Sequence, residues 1–81
     1  MKDLISKELK AVRIRCGFSR EQVAQALNVT YETIRKYESG KFNYSVETLE
    51  NLLNFYKIPV FIFFRNLCEN MHEINADNSS I

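Results

Sequence analysis

Apolar residues recur at helical spacing along most of the chain, and this periodicity restricts the fold to packed helices. Ile5, Leu9, Val12 and Cys16 are separated by four, three and four residues, which places them on one face of a first helix. The sequence contains only two glycines and one proline. No segment of it long enough for a strand alternates apolar and polar residues. The sequence therefore predicts an all-α protein.

Residues that favour helix ends divide the first half of the chain. Gly17 suits the left-handed position that closes the first helix. Ser19 and Gln22 have the spacing of a capping box, which predicts the start of a second helix. Thr30 can cap a third helix after a tight connection. The first half of the chain is thus predicted to hold three helices.

The second half of the chain has the signals of two more helices. Ser45 can cap a fourth helix, and Pro59 fits the first turn of a fifth. We expect a single domain over residues 1–73, in which the fifth helix covers about residues 59–73, and a flexible tail over residues 74–81. On the last four helices, the residues expected to face the core are Val23, Ala24, Leu27, Ile34, Tyr37, Val46, Leu49, Leu52, Leu53, Tyr56, Val60, Phe63, Phe64, Leu67 and Met71.

Charge is distributed unevenly along the chain. Residues 1–45 contain nine bases and five acids, a net charge of +4, whereas residues 46–81 contain two bases and five acids, a net charge of −3. This asymmetry favours a polyanion as the partner of the first part and a different partner for the second. The sequence has neither an apolar run long enough to span a membrane nor a secretory signal, so we expect no membrane association and a cytoplasmic location.

The residues that usually carry catalysis or bind metals are few and scattered. Cys16 and Cys68 are the only cysteines, they lack the CxxC spacing, and His72 is the only histidine. Zinc sites need about four such ligands. Two isolated cysteines are more often packing residues in a reducing compartment than nucleophiles. We therefore expect no metal site, no cofactor and no enzymatic activity.

The third predicted helix carries its charged side chains opposite its apolar ones. At about 100° per residue, Ile34, Tyr37 and Glu38 fall on the inner side. A solvated surface would by itself explain the outer side. However, a capped helix, a short turn and a second capped helix form a helix-turn-helix, whose second helix reads base edges in the major groove. The outer side holds Glu32, Arg35, Lys36 and Ser39, flanked by Tyr31 and Thr33.

Residues 9–64 resemble the Cro and phage-repressor type of helix-turn-helix domain, the lambda-repressor-like or XRE family. The resemblance rests on G-F-S-x-E-x-V-A at residues 17–24, the N-V-T turn, I-R-K-Y-E-S-G-K at residues 34–41 and S-x-E-T-L at residues 45–49. It implies a compact five-helix domain in which helices two and three form the helix-turn-helix. It also implies a prokaryotic or phage-encoded transcriptional regulator, a repressor, that binds double-stranded DNA.

The resemblance assigns roles to individual residues. Lysine can donate to guanine, glutamate can accept from the cytosine amino group, and the threonine methyl group can contact thymine. The implied base-reading residues are Tyr31, Glu32, Thr33, Arg35 and Lys36. The implied phosphate contacts are Arg20, Thr30, Lys41 and Asn43. Arg13 and Glu38 are implied to form an ion pair inside the fold, which fits the inner position of Glu38.

Two positions depart from the family pattern. Tyr44 stands where proline is usual before the fourth helix, and the fifth helix reads V-F-I-F-F where acidic residues are usual outside. Phe61 and Ile62 could extend the core under the C-terminal tail, or they could contribute to a homodimer interface. We favour the homodimer interface because exposed apolar patches usually have a partner. The residues expected in this interface are Phe61, Ile62, Arg65, Asn66 and Cys68.

A two-fold homodimer would place two recognition helices about 34 Å apart on a palindromic operator. The alternative function is that of an antitoxin-like or other protein-binding regulator, whose acidic and aromatic C-terminal half holds a protein partner. With a length of 81 residues, we expect no small-molecule domain beside the helix-turn-helix.

Overall fold

A computed structural model describes the backbone of residues 2–79 and the side chains of residues 2–69. The described chain consists of five helices and contains no strand, so the prediction of an all-α fold is confirmed. None of these helices combines the length and the apolar character that crossing a membrane requires. The helices are α1 (Lys2–Arg15), α2 (Arg20–Leu27), α3 (Tyr31–Tyr37), α4 (Val46–Tyr56) and α5 (Val60–Ser79).

Three of the helices begin at the hydroxyl residues that the sequence indicated. Ser19, Thr30 and Ser45 each accept a hydrogen bond from the backbone amide three residues later, at 3.1, 3.2 and 3.1 Å. The side-chain oxygen of Gln22 also accepts a hydrogen bond from the backbone amide of Ser19 at 2.8 Å, which completes the predicted capping box. These caps satisfy amides that the first turn of a helix leaves unpaired, and they fix where α2, α3 and α4 start.

Three helices also end in the same backbone conformation. Gly17, Asn28 and Lys57 have φ angles of 80°, 58° and 59°, in the left-handed region. In each case the next amide donates to the carbonyl five residues earlier, at 3.1, 2.9 and 3.0 Å. This is the Schellman arrangement. At Asn28 it produces the short turn that joins α2 to α3.

Lys57→Gly is expected to stabilise the protein by roughly 1 kcal/mol, because a left-handed conformation costs an L-residue about that much or more and costs glycine little. Gly17→Ala provides the opposite test in the same motif, since a Cβ atom there would meet nothing within 4 Å and only the backbone would be strained. Urea denaturation measures both. An unchanged or lower midpoint for Lys57→Gly would contradict the prediction.

The core consists of two clusters of buried residues. One joins α1, α4 and α5, and the other joins the helix-turn-helix to α1 and α4. Because the second cluster holds α2 and α3 against the rest of the protein, the geometry of the helix-turn-helix depends on it. The first contains Ile5, Leu9, Leu49, Leu52, Leu53, Phe63 and Leu67, and the second contains Val12, Val23, Ala24, Ile34 and Tyr56.

Three residues predicted to face the core are exposed instead. Val46 keeps 75% of its surface exposed, and Val60 and Cys16 are also exposed. Val46 and Val60 are the first residues of their helices, and Cys16 follows the last residue of α1. A helix end projects past the neighbouring helices, so correct periodicity does not guarantee burial there. The side chain of Met71, also predicted inward, lies outside the described residues.

The fifth helix extends beyond the end that we predicted for it. Its backbone is helical from Val60 to Ser79, past residue 73. Residues 80 and 81 lie outside the described residues. The division into a domain over residues 1–73 and a flexible tail over residues 74–81 stays a prediction.

Candidate nucleic-acid interface

The outer surface of α3 presents most of the residues expected to read bases. Ile34 is buried in the second core cluster and fixes which side of the helix faces inward. The side chains of Tyr31, Glu32, Arg35 and Lys36 are exposed, and Thr33 is half-buried. The structure thus brings four of the five candidates to one open face of a short helix.

Glu32 and Arg35 form an ion pair on this open face. Arg35 Nη2 and Nε lie 2.9 and 3.0 Å from Glu32 Oε2. Both side chains remain largely exposed, and exposed pairs at this helical spacing contribute only about 0.2–0.5 kcal/mol. A ligand can therefore separate the two side chains at little cost. While they are paired, Arg35 neutralises the negative charge of Glu32, which would otherwise repel phosphate. Sequence reasoning placed both residues on the face but did not pair them.

The N-terminal end of α3 is occupied by two threonine hydroxyls. Thr30 Oγ1 accepts from the amide of Thr33 at 3.2 Å and lies 2.9 Å from Thr33 Oγ1. Thr30 was expected to contact phosphate and Thr33 to read a base. In this structure both hydroxyls serve the cap, and Thr30 remains exposed beside the helix N-terminus, a location that favours anions.

The C-terminal end of α3 is anchored by a buried ion pair. Arg13 Nε lies 2.8 Å from Glu38 Oε2, and Arg13 Nη2 lies 3.3 Å from Glu38 Oε1. The two side chains are 10% and 3% exposed. Arg13 Nη1 also donates to the carbonyl oxygen of Phe18 at 2.8 Å, in the connection between α1 and α2. Arg13 and Glu38 thus lie together inside the fold, where the family resemblance placed them.

Glu38 has a second partner that sequence reasoning missed. Arg20 Nε lies 3.0 Å from Glu38 Oε1, and the Arg20 side chain is 27% exposed. A carboxylate at the C-terminal end of a helix is disfavoured by the helix dipole, so two arginines compensate a charge that is unfavourably placed. Arg20 was expected to contact phosphate; here its Nε is directed to the interior. No sequence signal distinguishes these two uses of an arginine.

A groove separates the start of α2 from the start of α3. Arg20 and Tyr31 both line it, and hydrogen bonding to the hydroxyl of Tyr31 and then to Glu38 raises the pKa of Arg20. Arg20 is therefore cationic at every ordinary pH. The groove is lined by Arg13, Ser19, Arg20, Glu21 and Tyr31.

The hydroxyl of Tyr56 stays uncharged at neutral pH. Burial raises the pKa of Tyr56 to about 12, with a further increase from the Glu38 carboxylate and a partial decrease from Arg13. Tyr56, which lies in the second core cluster, thus remains a neutral hydroxyl. The buried charges there are those of Arg13 and Glu38, each of which has a partner.

The loop after α3 is fixed to α1 by hydroxyl groups. Ser6 Oγ donates to the carbonyl oxygen of Tyr37 and also lies 3.0 Å from the hydroxyl of Tyr44. Tyr44 replaces the proline usual in the family, and burial raises its pKa. This contact positions the loop that carries Lys41 and Asn43, the two remaining candidates for phosphate contact, and both are exposed.

The residues expected to form a dimer interface divide into an exposed stripe and its inner border. Phe61 is 72% exposed, and Arg65 and Cys68 follow it at positions four and seven residues later, also exposed. Ile62 and Asn66 are half-buried beside them. Phe61 is therefore not additional core in a single chain, and α5 presents an apolar ring to its surroundings.

The chain is similar to a family model and to known transcriptional regulators. A family model described as Helix-turn-helix matches residues 9–63, which include α2, α3 and α4 entirely. An uncharacterized HTH-type transcriptional regulator of Sinorhizobium medicae is 27% identical over 62 residues, 76% of this chain and 45% of that protein. A regulator of Rhizobium meliloti matches to the same extent.

A phage protein is also similar to the chain. The cryptic phage CTXphi transcriptional repressor RstR of Vibrio cholerae is 30% identical over 57 residues, 70% of this chain and 51% of the repressor. The chain spans about half the length of these curated relatives, and no solved structure matches it. Since the family model covers more than half of the chain, the chain belongs to the lambda-repressor-like helix-turn-helix family of transcriptional regulators.

Proposed function

We propose that the protein binds double-stranded DNA sequence-specifically, with α3 in the major groove, and represses transcription in a prokaryotic or phage-infected cytoplasm. The observation that carries this proposal is the open face of α3. It combines exposed Tyr31, Glu32, Arg35 and Lys36 with an inner side held by Ile34. A slim helix with long donors and acceptors on one side matches the width and the hydrogen-bonding pattern of the major groove.

The side chains on this face suit different bases. Lys36 suits the acceptor atoms of guanine, and Glu32 suits the amino group of cytosine once Arg35 is released to another partner. Tyr31 and Thr33 lie beside them and complete the reading surface. The phosphate contacts, which fix position but carry no sequence information, are assigned to Arg20, Thr30, Lys41 and Asn43.

The proposal includes a homodimer. The exposed stripe of Phe61, Arg65 and Cys68, bordered by Ile62 and Asn66, would pack against the same stripe of a second copy. Two recognition helices would then reach half-sites about 34 Å apart on a palindromic operator. Such an interface would also remove Phe61 from water, which is the physical reason to expect it.

A second candidate function is favoured by the same stripe. Residues 46–81 carry a net charge of −3, so the half of the chain that exposes Phe61 would also suit a basic protein partner, as in an antitoxin. A protein-binding regulator of this kind would occupy the stripe with a different chain. Sedimentation of the protein alone separates the two candidates, since only the homodimer interface gives a dimer without a partner.

Titration against duplex DNA over a range of salt concentrations tests the main proposal. We expect the logarithm of the association constant to fall with a slope of about −0.9 per phosphate neutralised, and a selected operator to bind on the order of 10³-fold more tightly than random DNA. In vitro selection from random sequences supplies the operator. A protein without salt dependence and without preference would refute DNA binding.

Lys36→Ala is expected to cost about 1–3 kcal/mol at one base pair of the operator and to relax preference there, because a base-reading donor is lost. The measurement compares the variant's affinities for the operator and for single-base-pair changes. Lys10→Ala, at an exposed position on α1, controls for the loss of one positive charge. Equal loss on every sequence would reassign Lys36 to phosphate contact.

A further inference from the structure

We propose that a cavity between the helix-turn-helix and α4 binds a small, uncharged ligand that carries an aromatic ring and an amide-like hydrogen-bonding group. The inference goes beyond the proposed function and does not depend on it, because none of the residues assigned to DNA contact lines the cavity. A ligand bound there leaves the recognition face of α3 free.

The cavity opens where the two core clusters meet. Its volume is about 500 Å³, within the range of roughly 300–1,000 Å³ that is usual for small-ligand sites. Leu27 and Tyr37 line it, and each of them packs against both core clusters. Leu27 is the last residue of α2, and Tyr37 is the last residue of α3. A ligand in the cavity would therefore contact both helices of the helix-turn-helix and α4 together.

Part of the cavity wall is apolar and aromatic. Leu27 and Val29 contribute to it from the two sides of the turn between α2 and α3, and the rings of Tyr37 and Phe55 lie in the same wall. All four side chains are half-buried, so each leaves part of its apolar surface in contact with water. Covering such surface is favourable, and aromatic rings gain further from stacked or edge-to-face contacts. This wall favours a ligand with an aromatic ring.

The polar part of the wall comes from α4 and is uncharged. It consists of Thr48, Asn51 and Asn54, and no aspartate, glutamate, histidine, lysine or arginine lines the cavity. Thr48 Oγ1 accepts a hydrogen bond from Ser45 Oγ at 2.8 Å, so the Thr48 hydroxyl can donate its own proton to a ligand. The carboxamide of an asparagine both donates and accepts. A charged ligand would lose its hydration without gaining an opposite charge, so the site suits a neutral group with a donor and an acceptor.

Benzamide is the probe for this site, and benzoate, which has the same shape and a negative charge, is its control. Both are titrated into the free protein, and binding is followed through the backbone amide resonances in NMR spectra. We expect benzamide to shift the resonances of Leu27, Val29 and Tyr37 with a dissociation constant on the order of 1 mM, since so small a probe covers only part of the cavity. Benzoate should bind at least roughly tenfold more weakly.

Two variants test whether the probe occupies the cavity. Ala26→Phe fills it from an exposed position in its lining, and it should weaken benzamide binding at least roughly tenfold. Gln25→Phe is the matched control, because Gln25 is the neighbouring exposed residue of α2 and does not line the cavity. Asn51→Leu keeps the size of the side chain and removes its carboxamide, so binding should weaken by about three- to tenfold. If Ala26→Phe unfolds in a thermal melt, Asn51→Leu decides alone, since Asn51 is exposed.

Several results would overturn the inference. These are equal binding of benzamide and benzoate, wild-type binding of benzamide by the folded variants, and shifts confined to the exposed stripe around Phe61. Shifts of the cavity resonances when the protein is concentrated without a probe would assign the cavity to a second copy of the chain and would also overturn it. None of these measurements involves DNA, so failure of the ligand site and failure of the proposed function are separate outcomes.

Discussion

Glu38→Ala is expected to lower the free energy of unfolding by roughly 3–5 kcal/mol, the cost of breaking a buried ion pair from one side. The loss is large because Arg13, whose side chain is 10% exposed, would keep its charge with no carboxylate beside it. Arg20 would lose the same partner. In a domain of this size each kcal/mol corresponds to about 4–8 °C in melting temperature, so thermal denaturation followed by circular dichroism measures the effect readily.

Glu32→Ala is the matched control for this prediction. It removes the same chemical group from the same helix, but its partner Arg35 is exposed and returns to water. We expect a change of at most about 0.5 kcal/mol. Equal melting temperatures for Glu38→Ala and Glu32→Ala would show that the buried cluster does not stabilise the fold.

Phe61→Glu is expected to produce a monomer and to weaken operator binding by about 10²–10⁴-fold, the usual contribution of linking two binding sites. A carboxylate at the centre of an apolar two-fold interface would face its own copy and would be buried without a partner. Because Phe61 is 72% exposed in the single chain, the substitution should leave each chain folded, with the helical circular-dichroism spectrum of the wild type. Sedimentation and operator titration provide the two measurements.

Val46→Glu controls for adding a charge at an exposed apolar position. Val46 is 75% exposed at the start of α4, outside the α5 stripe. The variant should remain dimeric and bind the operator normally. A wild-type protein that sediments as a monomer at high concentration would refute the homodimer and would favour the protein-binding alternative.

Most helix boundaries, although not the end of α5, could be predicted from the sequence because the signals that determine them are local. Ser19 and Gln22 form a capping box from residues three apart, and Gly17 closes α1 through its own φ angle. Such signals require no knowledge of tertiary structure. Lys57 could not be predicted in this way, because lysine has no preference for the left-handed conformation that it adopts here.

The polar contacts between helices were less accessible to sequence reasoning. Helical periodicity places Glu38 on the inner side of α3, but the distance between residues along the chain does not reveal that Arg20 shares it with Arg13. The Glu32–Arg35 pair was missed for a different reason. Both residues were assigned to DNA, although a neighbour one turn away on the same helix was available to each.

The left-handed helix ends also bear on how quickly the chain reaches its native state. Four residues join α1 to α2, and three residues join α2 to α3 and α4 to α5. Each of these connections brings together partners that are near neighbours along the chain, so little loop entropy opposes their meeting. Helical domains with mostly local contacts fold within microseconds to milliseconds. We therefore expect a newly synthesised copy to expose its aromatic residues to water only briefly before it folds and can associate with a partner.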